Sequence, residues 1–145
     1  MLVNIPSVIL DTNVLVSALS SVDGTSRAVL RGALLGRWRP LISLPLFAEY
    51  EDVLSREETI ARSKVSAMAA QELLDALLSV SQLVEIYYAW RPNLRDEGDN
   101  HVFELAVASG DAVLLTWNLR DFARTELRFP HLRIMTPADW MKQQN

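Results

Sequence analysis

Cysteine is absent from the sequence, so neither a disulfide framework nor a thiolate metal site is available, and any metal must be held by oxygen or by the two histidines. Long hydrophobic runs are also missing. None approaches the roughly 18 to 20 residues of a membrane span, and the N-terminus lacks the charged start and cleavage site of a signal peptide, which leads us to expect a cytoplasmic protein with no membrane partner. Positive charge is scarce: 14 Lys and Arg face 18 Asp and Glu, giving a net charge of −4. The basic footprint that usually marks nucleic-acid binding is therefore lacking overall. Linkers, repeats and low-complexity tracts are missing too, so the 145 residues are expected to form one domain, 1–145. Half of the residues are apolar, which suits a folded core and not a disordered chain.

The stretch that organises the rest is Pro6-Ser7-Val8-Ile9-Leu10-Asp11-Thr12-Asn13. A short aliphatic run of this kind is a buried strand, and it ends on a carboxylate. Asp11 suits the N-cap of a following helix, and it equally suits a site at the carboxyl end of a parallel strand. What separates these readings is whether other acids recur at equivalent places. Helical spacing of Val14, Leu15, Ala18 and Leu19 predicts a first helix beginning near Asn13, and a second from Arg27 to about Gly36 is capped by Thr25 or Ser26. Arg39 to Ser43 reads as a second strand, and Pro45 opens a helix whose apolar stripe is Leu46, Phe47, Tyr50, Val53 and Leu54. On that wheel Glu49 and Glu51 flank the stripe while Asp52 points away, so periodicity leaves the two glutamates open.

A short charged helix over 55–63 and an amphipathic one over 65–80 come next, and then a third strand is expected from Leu83 to Tyr87. The loop Trp90 to Asn100 packs Asp96, Glu97 and Asp99 just before a helix marked by Val102, Phe103, Ala106 and Val107. A fourth strand, Asp111 to Thr116, runs into Asn118 and Asp121. A fifth, Leu132 to Met135, precedes a terminal helix from Ala138 to Lys142 behind the cap pair Thr136-Pro137. This order predicts an α/β fold with a mostly parallel central sheet.

In such a sheet Asp11, Glu49, Asp99 and Asp121 share one rim. Clustered carboxylates repel and raise one another's pKa unless a cation neutralises them. An oxygen-only site suits Mg2+ or Mn2+, which can activate water and stabilise charge at a phosphoryl centre without any serine or histidine nucleophile.

Four pieces, read in order, carry a resemblance: Val8 to Leu15, Glu49 to Leu54, Arg95 to Asn100 with Glu104-Leu105-Ala106, and Leu114 to Phe122. Together they resemble the PIN domain family, especially the VapC-type toxins of bacterial toxin–antitoxin pairs, over nearly the whole chain. The resemblance implies a three-layer α/β/α nuclease that hydrolyses RNA with Mg2+ or Mn2+ held by three or four acids, and it selects Glu49 over Glu51. By position it implies Asp11, Glu49 and Asp99 as metal ligands and catalytic acids, with Asp121 as a further catalytic acid. Asn13, Thr116, Asn118 and Asp96 would be supporting polar residues. Arg27, Arg31, Arg95 and Arg120 are candidates for RNA contacts.

The resemblance also implies a small antitoxin partner and, as in many members, a homodimer. One departure stands out. Many members carry an aspartate two residues after the threonine, where this chain has Asn118; Glu97-Gly98 likewise replaces an expected Pro-Asp. The alternative is therefore a PIN fold that binds RNA or protein with weakened catalysis. Two other strand-Asp enzymes fit worse. A haloacid-dehalogenase-type phosphatase needs a second aspartate where Asn13 stands, and a receiver domain needs an acidic pair and a late lysine that are not evident.

Overall fold

The structure, a computed structural model, describes residues 4–21, 24–86, 100–122 and 131–144. Five strands, β1 (Ser7–Leu10), β2 (Arg39–Ile42), β3 (Gln82–Leu83), β4 (Val113–Leu115) and β5 (Arg133–Met135), form one sheet in the order β3-β2-β1-β4-β5. Every pairing is parallel, so the expected mostly parallel sheet is wholly so among the described residues. The helices are α1 (Thr12–Ser20), α2 (Thr25–Leu34), α3 (Leu44–Leu54), α4 (Glu57–Arg62), α5 (Ala67–Val80), α6 (Asn100–Ser109) and α7 (Pro137–Gln143), with a 3-10 turn at Leu119–Phe122. The result is the three-layer α/β/α arrangement expected of a PIN-like domain.

The central position of β1 follows from its composition. Val8, Ile9 and Leu10 are essentially inaccessible, as are Val113, Leu114 and Leu115 on the neighbouring β4. Each such aliphatic contributes about 1.5 to 3 kcal/mol by leaving water, so a strand apolar on both faces belongs in the middle of the sheet. From β1 the chain moves outward through β2 to β3, then crosses to β4 and β5 on the other side. The direction of winding reverses between β1 and β4. Their carboxyl ends open the crevice where an α/β sheet can receive a ligand. Register sets the two ends level: Leu10 pairs with Leu115, which leaves Asp11 and Thr116 as the next residues on each strand.

Local chemistry accounts for most boundaries. Ser43 caps α3 by accepting from Leu46 N–H at 3.3 Å, with Pro45 in the first turn, and Ser66 and Thr136 cap α5 and α7 in the same way. At the end of α2, Gly36 has φ 80°. Its N–H bonds to Ala33 O while Arg37 N–H bonds to Gly32 O, a Schellman stop that needs a left-handed residue. Trp38 then folds back over Gly32 with its indole N–H on Val29 O at 3.0 Å. It meets Trp140 of α7 edge to face at 5.8 Å.

Two sequence expectations need correction. Helix α2 starts at Thr25, with Gly24 as N-cap and no side-chain cap bond, because the Ser26 hydroxyl is turned instead to the indole of Trp117. Strand composition over 83–87 predicts a longer β3 than forms; Gln82–Leu83 is the paired part and residues 84–86 are irregular. As an edge strand it bonds on one side, to β2, and Leu83 is left more than half exposed, so little burial energy extends the pairing. Tyr87 and Trp90 lie outside the described residues.

Candidate active site

Asp11 combines both roles considered for it. Its Oδ1 accepts the Thr12 backbone N–H at 2.9 Å, capping α1, and its Oδ2 accepts the Thr116 hydroxyl at 2.8 Å. Asn13 Nδ2 stands 3.2 Å from both Asp11 Oδ2 and Thr116 Oγ1, and the Thr116 hydroxyl also accepts Asn118 N–H at 3.0 Å. Thr116 is completely buried and Asp11 nearly so. This knot of side chains joins the ends of β1 and β4 and fixes the carboxylate. A carboxylate offers about four acceptor directions, and three hydrogen bonds leave Asp11 capacity for one more ligand.

Glu49 arrives from α3, six residues beyond the Ser43 cap. Its Oε2 accepts the Thr12 hydroxyl, and its Oε1 lies 3.0 Å from His101 Nε2 on α6. The wheel leaves Glu49 and Glu51 open; Glu49 is the one turned to the β1 end, while Glu51 is exposed. Asp52 points away as expected and pairs with Arg56 at 2.5 Å on the surface. The next residue after Glu49, Tyr50, donates its buried hydroxyl to Leu10 O at 2.5 Å, which ties α3 to the end of β1 and helps to set where Glu49 stands.

The two carboxylates are pushed in opposite directions. Burial holds Asp11 above its ordinary value of 3.8, with the negative charge of Glu49 adding to the rise; the Thr116 and Thr12 hydrogen bonds and His101 oppose it. Glu49 lies below its ordinary value of 4.5, mainly through the His101 hydrogen bond and against burial, with the Thr12 hydroxyl, the charge of His101 and Arg56 also lowering it. Tyr50 is driven well above its usual range by burial and by both carboxylates, so it remains a protonated donor.

Of the other expected site residues, Asn118 and Asp121 sit together beyond β4, exposed, with Asn118 Nδ2 donating to Asp121 Oδ2 at 2.6 Å. Asp96, Asp99 and Arg95 lie outside the described residues. Arg31 and Arg120 are exposed. Arg27 instead donates its Nε–H to Ala18 O at 2.7 Å, and its Nη2 is buried, so this side chain spends itself on the end of α1. The sequence alone does not single out His101. Its one signal there is its place two residues after Asp99, and its bond to Glu49 spans 52 positions. Thr12 and Tyr50 likewise read as ordinary helix residues.

The donor set tests whether a metal would fit. Asp11 and Glu49 offer hard oxygens, and a divalent cation would offset the burial that chiefly raises Asp11 together with the smaller repulsion from Glu49. Among the described residues no three His, Asp or Glu side chains form a complete cage. Asp99, the third acid expected, is outside that set.

Known proteins bear on this geometry in two ways. Among solved structures, VapBC2 from Rickettsia felis, determined bound to a DNA fragment from their promoter, superimposes with a TM-score of 0.56 at 21% identity, covering 88% of this chain and 96% of that one. That likeness concerns the fold. Among curated proteins none matches. The sequence itself fits the model of the PIN domain over residues 7–120, a span that includes Asp11, Glu49, Asp99, Thr116 and Asn118. The chain belongs to the PIN domain family.

Proposed function

We propose that this protein is a divalent-metal-dependent endoribonuclease and the toxin of a type II toxin–antitoxin pair. The observation that carries the reading is the meeting of Asp11 and Glu49, from separate elements, at the β1–β4 switch point, each held by dedicated hydroxyl, amide or imidazole partners. PIN domains are generally nucleases, which supports hydrolysis. Mg2+ or Mn2+ would be held by Asp11, Glu49 and Asp99, and when bound it supplies an acidified water and stabilises charge at the phosphoryl group.

The protein's own contribution is positional. Thr116 and Asn13 fix Asp11, while Thr12 and His101 fix Glu49, so neither carboxylate has to reorganise when the ligand arrives. Asp121 and Asn118, exposed on the same rim, are placed to orient substrate or water. Arg31, Arg95 and Arg120 are the candidates for phosphate contacts. Local positive charge of the ion offsets an acidic surface, which is how a chain with pI near 5.1 can accept RNA.

The Rickettsia neighbour was solved as a VapBC assembly on DNA, which supports a small antitoxin partner and a dimer for this chain too. We place the protein in the cytoplasm; among the described residues no helix is long and apolar enough to cross a membrane. A second reading, a PIN module that binds without cutting, is favoured by one observation: Asn118 brings no charge where a fourth acid would stand. Cleavage of RNA by the wild type in Mn2+, lost in EDTA and in Glu49→Gln, supports the nuclease. RNA binding without any cleavage supports the second reading.

A further inference from the structure

Trp117 follows Thr116 at the point where the chain leaves β4. Its backbone N–H donates to Asn13 Oδ1 at 3.1 Å, and the amide of the same Asn13 reaches Asp11. At its far end the indole N–H donates to Ser26 Oγ at 2.7 Å. The residue is thus pinned at both ends, between the carboxylate pair and the start of α2. It nevertheless stays 40% exposed, whereas Trp38 and Trp140 are 4% and 2% exposed in the core.

A tryptophan buries more apolar surface than almost any residue, so holding one open to solvent forgoes that stabilisation. Its one side-chain polar group is already satisfied inside the protein, so the exposed part of the side chain is ring carbon. A flat π surface held rigid at the edge of a phosphodiester site suits a nucleobase, because stacking uses the faces and tolerates any base. In a duplex those faces are already covered by neighbouring bases, so the fitting ligand is single-stranded.

We infer that Trp117 is a stacking platform for an unpaired base beside the scissile phosphate. The inference rests on the nuclease reading for the class of ligand. Arg120, exposed three residues further on, stands on the same segment to meet the backbone of the bound strand.

The experiment compares wild type, Trp117→Ala and Trp117→Phe. Binding of a fluorescently labelled single-stranded RNA is followed by polarisation in Ca2+. Cleavage of the same RNA and of bis(p-nitrophenyl) phosphate, which carries no base, is measured in Mn2+. Loss of one stacked base predicts roughly ten-fold weaker RNA binding and a similar rise in KM for Trp117→Ala, with Trp117→Phe recovering most of both. Hydrolysis of the small diester should match wild type in both variants, and both should melt a few degrees lower because the bond to Ser26 is lost. Unchanged RNA affinity in Trp117→Ala overturns the inference and returns the ring to a surface that a protein partner covers. Equal losses on RNA and the small diester overturn it in favour of a structural role. Wild-type protein that binds RNA through Trp117 and cuts neither substrate keeps the inference and overturns the nuclease reading; cleavage that ignores the substitution does the reverse.

Discussion

Replacing Thr116 by valine tests how the site holds its buried charge. The side chain keeps its shape and its complete burial, but the hydroxyl that donates to Asp11 Oδ2 at 2.8 Å and accepts from Asn118 N–H at 3.0 Å is gone. A hydrogen bond to a charged group is worth about 1.5 to 3 kcal/mol, and a partner left unsatisfied keeps its desolvation cost. Asn13 and the Thr12 N–H still solvate the carboxylate, so a net loss of about 2 to 3 kcal/mol is expected, a large part of the typical 5 to 15 kcal/mol total. At about 3 °C per kcal/mol for a chain of this size, the melting temperature should fall by roughly 5 to 10 °C.

The loss should also depend on pH. Because Asp11 in the folded state lies above its ordinary value of 3.8, its contribution to stability is fully present below 3.8 and declines as pH rises through the folded value. Removing the Thr116 bond, which opposes that rise, pushes the folded value higher still. The gap between Thr116→Val and wild type is then largest at neutral pH and shrinks on acidification. Thermal and urea unfolding in EDTA across this range, with Thr116→Ser as the hydroxyl-preserving control, measures it. A gap that does not vary with pH, or a serine substitution as damaging as the valine one, would refute the reasoning.

Three further outcomes are expected. Asp11→Asn removes a buried charge, so in EDTA its melting temperature should rise by a few degrees, about 0.5 to 2 kcal/mol, while Mn2+ binding seen by calorimetry disappears. Asn118→Asp places like charges side by side against Asp121 on an exposed segment; unfolding should show a cost of only about 0.5 kcal/mol without metal, while a Mn2+ titration shows tighter binding. Gly32→Ala would drive a Cβ into the indole ring of Trp38, and because Trp38 is held by Val29 and Trp140 the overpacking should cost at least about 1 to 3 kcal/mol in urea unfolding with Mn2+ affinity unchanged.

The central strand is legible in the sequence because its burial on both faces leaves a continuous aliphatic run, and the acid that ends it is conspicuous for the same reason. The cap at Thr136 is legible for a local reason, since it satisfies a helix end within three residues. Edge strand β3 reads as longer than it is because Leu83 to Tyr87 has strand composition, whereas pairing on one side alone decides its length. Pairings across distant elements are not legible. Ser26 reads as a helix cap until the Trp117 indole, 91 positions away, claims its hydroxyl. Nothing in the sequence singles out His101 until α3 brings Glu49 to it. Nor does composition tell the tryptophans apart: Trp38 and Trp140 are core, whereas Trp117 is anchored at the rim.

The central claim is that Asp11, Glu49 and Asp99 together hold a divalent cation that RNA cleavage requires. Calorimetric titration of Mn2+ into wild type and Asp99→Asn, with RNA cleavage assayed on the same samples, tests it most directly. The account predicts wild-type binding that weakens in Asp99→Asn, with cleavage falling in parallel. Absence of binding at millimolar Mn2+ in the wild type, or full binding and cleavage in Asp99→Asn, would contradict it.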